Sequence, residues 1–377
     1  MPGLLFVLND SGYFLSHRLQ IALAARTAGF DVHVATPESD KTKTVRAYGF
    51  THHPLLLTRS GSNPFLEILS FMELLRIFRE TKPDLLHLVT IKPVIYGGVA
   101  ARLTRVPAVV VAVSGLGIVF SRNGFKENLL RFLIKPLYRA ALAHPGLRVI
   151  FQNPSDSEII SRLASLRPEQ ICLIHGSGVE LTDYAFTPLP DDDAPIVLLP
   201  ARLLKSKGVP EFVDAARQLR ARGVMARFVL AGAPDAGNPD TVTEEAIAAW
   251  VAQGLVEHWG YCADMPRVFA QSSLVILPSF YPEGLPKTLI EAQACGRAIV
   301  TTECPGCRDA IVPDETGLLV PPRDAGALAD AIERLLRDRQ RLRDMGRAGR
   351  ALAESRFDVR HVVERHLEIY QSLMQAD

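Results

Sequence analysis

Short runs of Val, Ile and Leu recur along the chain between amphipathic helical stretches, and this alternation constrains the fold more than any other feature. Strands of a parallel sheet with helices on both faces are buried on both sides, so they read as continuous apolar runs and not as alternating ones. In the first half the runs fall at residues 4–8, 31–35, 53–57, 85–89, 108–113, 148–151 and 171–174, with helical patterns such as 14–28 between most of them. A second series falls at 196–199, 227–230, 255–259, 274–277, 298–301 and 317–320. Residues 180–195 separate the two series, carrying Pro188, Pro190, Pro195 and the acidic run Asp191, Asp192, Asp193 with little periodicity, as a linker does. From Ala325 onward the pattern is helical, with residues 357–374 as a last separate element. The expectation is an α/β chain of two Rossmann-like, doubly wound domains, 1–180 and 181–356, with a terminal helical segment 357–377 that returns to the first domain. Two such sheets joined by a linker would bind ligands in an interdomain cleft, at the carboxyl ends of their strands.

A length of 377 residues suits two cores better than one, since single cores stop growing at ~250–300 residues. With 42 Lys and Arg against 41 Asp and Glu, the chain lacks the overall basic footprint of a nucleic-acid binder. Its five cysteines are few, odd in number and scattered, which fits a reducing, cytoplasmic compartment and not a disulfide framework. The first residues read as a buried strand and not as a signal peptide, and no run reaches the ~18–20 apolar residues that span a bilayer. The expected protein is soluble or lies on a membrane.

Residues 278–296 hold the densest chemistry: Pro-Ser-Phe-Tyr-Pro-Glu-Gly-Leu-Pro-Lys-Thr-Leu-Ile-Glu-Ala-Gln-Ala-Cys-Gly follows a strand and enters a helix with Pro286 suited to its first position. Backbone N–H groups around Gly284, Leu285 and Pro286, with the positive end of the helix dipole, would cradle a diphosphate. Glu283 and Glu291 then need a task compatible with a nearby anion, and accepting hydrogen bonds from sugar hydroxyls is one. The alternative is two solvated glutamates, which the Pro/Gly-rich setting of Glu283 and the apolar flanks of Glu291 disfavour. Arg202, directly after an apolar strand, and Lys207 add cations that can stabilise a leaving nucleoside diphosphate without a metal. Cys304 and Cys307 have half the spacing of a zinc site, but no second Cys/His pair follows.

The Glu-x7-Glu spacing, the strand exit Ala-Arg-Leu-Leu-Lys-Ser-Lys-Gly at 201–208 and the segment His-Gly-Ser-Gly-Val-Glu-Leu at 175–181 resemble family 4 glycosyltransferases of the GT-B fold, over nearly the whole chain. The resemblance implies an acceptor-binding first domain and a second that binds a nucleotide sugar. Arg202 and Lys207 would hold the donor diphosphate, Glu291 the ribose hydroxyls and Glu283 the transferred sugar, while Gly260 and Tyr261 border the base. No metal or other cofactor is implied, and the anomeric configuration is retained. In the first domain, the loop of residues 9–18 would bring the backbone of Ser11 and Gly12 to phosphates and His17 and Arg18 to an anionic acceptor, with Lys92 as a further phosphate partner. Ser11 or Ser16 could instead simply cap the helix.

Many relatives carry a histidine where this chain has Ser114 and Gly115. That departure, with Gly-Leu-Gly at 115–117, Ser-Asn-Pro-Phe at 62–65 and Ala-Cys-Gly-Arg-Ala at 294–298, resembles the subgroup that extends undecaprenyl-diphosphate-linked saccharides. Residues 123–144 form a basic amphipathic stretch in which Lys126, Arg131, Lys135 and Arg139 recur against leucines, as in helices that lie on anionic membranes. The expected donor is a UDP-linked N-acetylated hexosamine and the expected acceptor a lipid-linked saccharide on the inner face of the cell membrane. A nucleotide-sugar epimerase and a silent nucleotide- or membrane-binding scaffold are the rivals. A dinucleotide dehydrogenase is disfavoured because neither domain has Gly-x-Gly-x-x-Gly after its first strand. Oligomeric state is not legible.

Overall fold

The computed structural model describes residues 1–57, 63–115 and 135–375. They form two compact units, Met1–Ser177 with Arg360–Asp377, and Gly178–Val359. Among the described residues the first unit holds a seven-stranded sheet, formed by β1 (Gly3–Val7), β2 (Asp31–Thr36), β3 (Thr51–Pro54), β4 (Leu85–Val89), β5 (Ala108–Val113), β6 (Leu147–Phe151) and β7 (Ile171–Leu173). Their order is β3-β2-β1-β4-β5-β6-β7, and every ladder between them is parallel. The second unit holds a six-stranded sheet of β8 (Ile196–Pro200), β9 (Arg227–Ala231), β10 (Glu257–Gly260), β11 (Leu274–Leu277), β12 (Ala298–Thr302) and β13 (Gly317–Val320), in the order β10-β9-β8-β11-β12-β13. Its ladders are likewise parallel.

Each apolar run therefore became a strand, because a strand covered on both faces has no solvent side to mark with polar residues. In β1, Leu4 and Phe6 enter one core while Leu5 and Val7 enter the other. The runs at 53–57 and 255–259 are displaced, both at sheet edges, the second because β10 begins only at Glu257, after buried Leu255 and Val256. The edge strand β3 pairs through Thr51–Pro54, and Leu55 and Leu57 are buried just beyond its end. An edge strand is covered on fewer sides, so the apolar signal belonged to the loop that follows it.

The helical pattern at 14–28 is two helices, Ser11–His17 and Leu19–Thr27, that meet at Arg18 with φ −127° and ψ −12°, outside the α region. The final helix, Val359–Met374, lays Val362, Ile369, Tyr370 and Leu373 on the same sheet face as Phe14 and Ile21. The units change at Ser177/Gly178 and Val359/Arg360, a few residues from the anticipated boundaries, because Val179 and Asp358 bridge to each other within the second unit.

Residues 180–195, read as a linker, are fastened to the second unit. Arg297 is fully buried and donates to the carbonyls of Thr187, Pro188, Phe269 and Ala270. Arg350 donates to the Tyr184 carbonyl and Arg339 to that of Pro190. Among the described residues, no helix is long and apolar enough to cross a membrane.

Candidate active site

In the second unit the strand order reverses between β8 and β11, where an open parallel sheet leaves a crevice beyond its carboxyl ends. Three loops meet there. The exit of β8 passes Arg202, buries Leu203 and Leu204, and turns through Lys205–Lys207 to Gly208. The exit of β11 runs through Glu283 and Gly284 to the helix Lys287–Ala294, and the exit of β12 carries Cys304 to Cys307. The first two are joined by hydrogen bonds from Phe280 N (3.1 Å) and Ser279 Oγ (3.1 Å) to the Ser206 carbonyl. Gly208 adopts φ +76°, and a Cβ there would lie 2.2 Å from the Pro278 oxygen, so the loops approach as closely as glycine permits. The third loop supports the second, since Glu283 N donates to the Pro305 carbonyl and a Cβ on Gly306 would lie 2.4 Å from the Glu283 oxygen. Thr288 Oγ1 ties the helix to the end of β8 through the Pro200 carbonyl at 3.0 Å.

The structure brings together the charged residues singled out in the sequence. Lys207 pairs with Glu283, both largely buried, and Lys287 lies 3.4 Å from Glu291 one turn along the helix. Arg202 is half-exposed and pairs with Asp235 from the loop after β9. Burial pushes the Glu291 carboxyl up, opposed by the Lys287 ammonium and by a hydrogen bond from the Tyr184 hydroxyl, whose own pKa burial raises. Pro286 stands at the N-cap of the helix and Lys287 begins it, one position later than the sequence reading. No side chain caps this end, and the positive end of a helix favours an anion placed beside it. Gly260 ends β10 with φ +67°, and Tyr261 stands 81% exposed beside it. The Cys304 thiol is pushed by burial to about 11 and that of Cys307 higher still, so both stay protonated. Among the described residues no group of His, Cys, Asp and Glu could hold a metal ion. Cations, a helix start and carboxylate acceptors in one crevice can bind a diphosphate and a polyhydroxyl group side by side.

In the first unit the order reverses between β1 and β4. After β1, Asp10 caps the helix by accepting from Tyr13 N at 2.7 Å, a role sequence reasoning gave to Ser11 or Ser16. Ser11 is buried, its hydroxyl donating to the Pro37 carbonyl, and Gly12 follows it on the first turn. His17 stacks on Tyr13 with ring centroids 4.0 Å apart. Arg18 corrects the sequence reading: it is 2% exposed, enclosed near His87, His366 and Tyr370, and out of reach of an anionic acceptor. Four residues after buried Phe14 and three before buried Ile21, Arg18 lies on the inward face that the two helices share. Lys92 is not a loose cation either, because it forms an ion pair with Glu67 at 2.6 Å, and the Tyr96 hydroxyl donates to the same carboxylate. Lys135 and Arg139 are exposed in the helical stretch 135–141, Arg139 donating to the Leu163 carbonyl at 2.9 Å. Lys126 and Arg131 lie outside the described residues.

Sequence reasoning missed three residues. Tyr184 and Asp235 hold Glu291 and Arg202 from distant parts of the chain, which no local motif could signal. Thr90 joins β4 to the helix Ile91–Thr104 with φ +71° and ψ +160°, a conformation nearly confined to glycine, and its buried hydroxyl meets no partner among the described residues. Strain of this kind has no sequence signature when the residue is not glycine.

A family model described as glycosyl transferases group 1 matches residues 182–352, and one described as glycosyl transferase 4-like matches residues 4–153. The chain is 30% identical over 383 residues to the N,N'-diacetylbacillosaminyl-diphospho-undecaprenol alpha-1,3-N-acetylgalactosaminyltransferase of Campylobacter jejuni, covering 98% of each chain. Among solved structures, sucrose-phosphate synthase from Thermosynechococcus elongatus superposes with a TM-score of 0.82 at 22% identity, covering 100% of both chains. The Anabaena protein HepE in complex with UDP-glucose superposes with a TM-score of 0.79 at 21% identity, covering 99% of this chain and 100% of the other.

Proposed function

Given that the chain belongs to the group 1 glycosyltransferases of the GT-B fold, with a 4-like first unit, we propose that it moves a sugar from a UDP-linked donor to a hydroxyl of a saccharide carried on a lipid diphosphate. The transferred sugar is an N-acetylated hexosamine and its anomeric configuration is retained. The observation that carries this reading is the crevice between β8 and β11, where Arg202, Lys207, the start of helix Lys287–Ala294, Glu283 and Glu291 converge. The named substrate of the Campylobacter relative, a diphospho-undecaprenol, supports the acceptor, and the UDP-glucose complex of the Anabaena protein supports the base. Five unpaired thiols support a reducing compartment, and the cytoplasmic face of the membrane meets that condition.

In this mechanism the acceptor oxygen bonds to the anomeric carbon as the bond from that carbon to the diphosphate breaks, and the acceptor proton passes to the departing phosphate oxygen. Negative charge grows on the nucleoside diphosphate, where Arg202, Lys207 and the helix start oppose it. The same ammonium that pairs with Glu283 would turn to the diphosphate, leaving the Glu283 carboxylate to accept from sugar hydroxyls while Glu291 accepts from the ribose. No metal ion or other cofactor takes part in this scheme.

Calorimetry against UDP-, GDP- and TDP-sugars, followed by transfer to a lipid-diphosphate-linked acceptor, tests the reading. UDP-sugars should bind most tightly and Glu283→Ala should lose about 10²-fold or more in turnover while UDP affinity is largely kept. Near-native turnover of Glu283→Ala would remove that residue from the site. An isomerised donor formed without acceptor would replace transfer by epimerisation.

A further inference from the structure

The helix Pro64–Thr81 buries Leu74, Leu75, Ile77 and Phe78 in the core of the first unit. Residues three and four apart share a face, so its opposite stripe reads Phe65, Ile68, Leu69 and Met72, then Arg76 and Arg79. Phe65 is 70% exposed, Ile68 62% and Met72 54%. Leu56, also exposed, is held beside them because its N–H donates to Glu73 and its carbonyl accepts from Ser70 Oγ. A helix that is apolar on its outer as well as its inner face is not finished by the fold it belongs to.

The exposed charges around this patch are mostly basic. Glu67 is turned inward to Lys92 and Tyr96, and Glu73 to the Leu56 N–H and Arg76. Arg76 and Arg79 continue the apolar stripe, Lys82 follows the helix, and of the acids on this element Glu80 alone stands exposed among them. We propose that this stripe docks on a bilayer containing anionic lipids, Phe65, Ile68 and Met72 entering the acyl boundary while Arg76 and Arg79 lie on headgroup phosphates. The surface differs from residues 123–144, where the sequence pointed. A second copy of the chain fits less well, because pairing this face with itself would set arginines against a surface with one exposed carboxylate per copy to receive them. The inference rests on the reading of a lipid-linked acceptor, since docking would hold the enzyme where that acceptor resides.

The test is flotation of the full chain with vesicles of phosphatidylcholine alone and of phosphatidylcholine mixed equally with phosphatidylglycerol. The native chain should float with the mixed vesicles. A triple variant, Phe65→Ser with Ile68→Ser and Met72→Ser, should lose about tenfold or more of that binding, and so should Arg76→Glu with Arg79→Glu. These side chains are exposed, and near-UV dichroism checks that each variant keeps its native packing. Flotation of the triple variant equal to native would overturn the proposal. So would a native dimer by light scattering that the triple variant dissolves while neither floats, which would make the face a self-interface. Transfer to a detergent-dispersed lipid-linked acceptor separates the two readings. If the triple variant keeps native transfer but loses flotation, both stand, whereas a native chain that floats and transfers nothing keeps the docking surface and loses the transferase reading.

Discussion

Gly306→Ala probes how the loop after β12 sets the geometry of the site. Gly306 has φ +83°, and the missing Cβ would lie 2.4 Å from the Glu283 oxygen and 2.6 Å from that of Gly284, against ordinary contact beginning at 3.4 Å. An alanine therefore forces the segment carrying Glu283 and Gly284 to recede by about 1 Å, since the atoms in its way are backbone. The left-handed conformation costs about 1–2 kcal/mol for a residue with a Cβ, and overpacking adds about 1–3 kcal/mol. A displacement of about 1 Å at a positioned reacting group can lower turnover about 10²-fold. Gly223→Ala is the control, because Gly223 has φ +74° with nothing within 4 Å of its virtual Cβ, so it carries the backbone cost alone. Both tryptophans, Trp250 and Trp259, lie in the second unit, so fluorescence-detected denaturation reports the stability of that unit. Steady-state transfer with a saturating UDP-sugar reports turnover. Gly306→Ala should lose more stability than Gly223→Ala and nearly all turnover, while Gly223→Ala turns over normally. A Gly306→Ala chain with native turnover, or a Gly223→Ala chain equally inactive, would refute the link between this loop and Glu283.

Two further outcomes follow from buried charges in the same unit. Because burial raises the Glu291 carboxyl in the folded state, the stability it contributes is present below the ordinary carboxylate pKa and lost as pH rises through the raised value. Glu291→Gln should therefore gain on the native chain across that window while its UDP affinity weakens, and tryptophan-detected denaturation at several pH values would contradict this if the native chain gained instead. Arg297, which burial draws down to about 10, supplies hydrogen bonds to carbonyls of residues 187, 188, 269 and 270. Arg297→Ala empties a fully buried site and removes the donor to the carbonyls of Thr187, Pro188 and Ala270, while Phe269 keeps its hydrogen bonds from Ser272, so it should cost about 2 kcal/mol or more by the same measurement. A loss below about 1 kcal/mol would mean that Arg339 and Arg350 suffice to fasten the segment.

The sheets were legible because doubly covered parallel strands announce themselves. The runs at 85–89, 108–113, 274–277 and 317–320 coincide with their strands to the residue. The charged cluster after β8 and β11 was legible for a related reason, since strand exits in an open sheet share one edge, Arg202 follows an apolar run directly and Glu283 lies in the Pro/Gly-rich loop that leaves another. What failed was any inference that needed a partner. Arginine is ordinarily a surface residue, and Arg18 is buried because it shares the inward face of Phe14 and Ile21, where His87, His366 and Tyr370 from distant parts of the chain enclose it. Lys92 looked free because Glu67 sits 25 positions away. The outward stripe of the helix Pro64–Thr81 was hidden because its inner and outer faces are both apolar, so periodicity could not separate them.

The final helix bears on how the protein comes into being. One face of the first sheet is completed by Val362, Ile369, Tyr370 and Leu373, and His87 meets Tyr370 across 283 positions of chain. A ribosome must therefore make all of the second unit, about 180 residues, before it releases the piece that closes the first. At typical synthesis rates the nascent chain carries an uncovered apolar sheet for roughly 10–40 s, long enough for chaperones to engage it. The second unit, continuous in sequence, can complete its fold during synthesis while the first, begun earlier, finishes last.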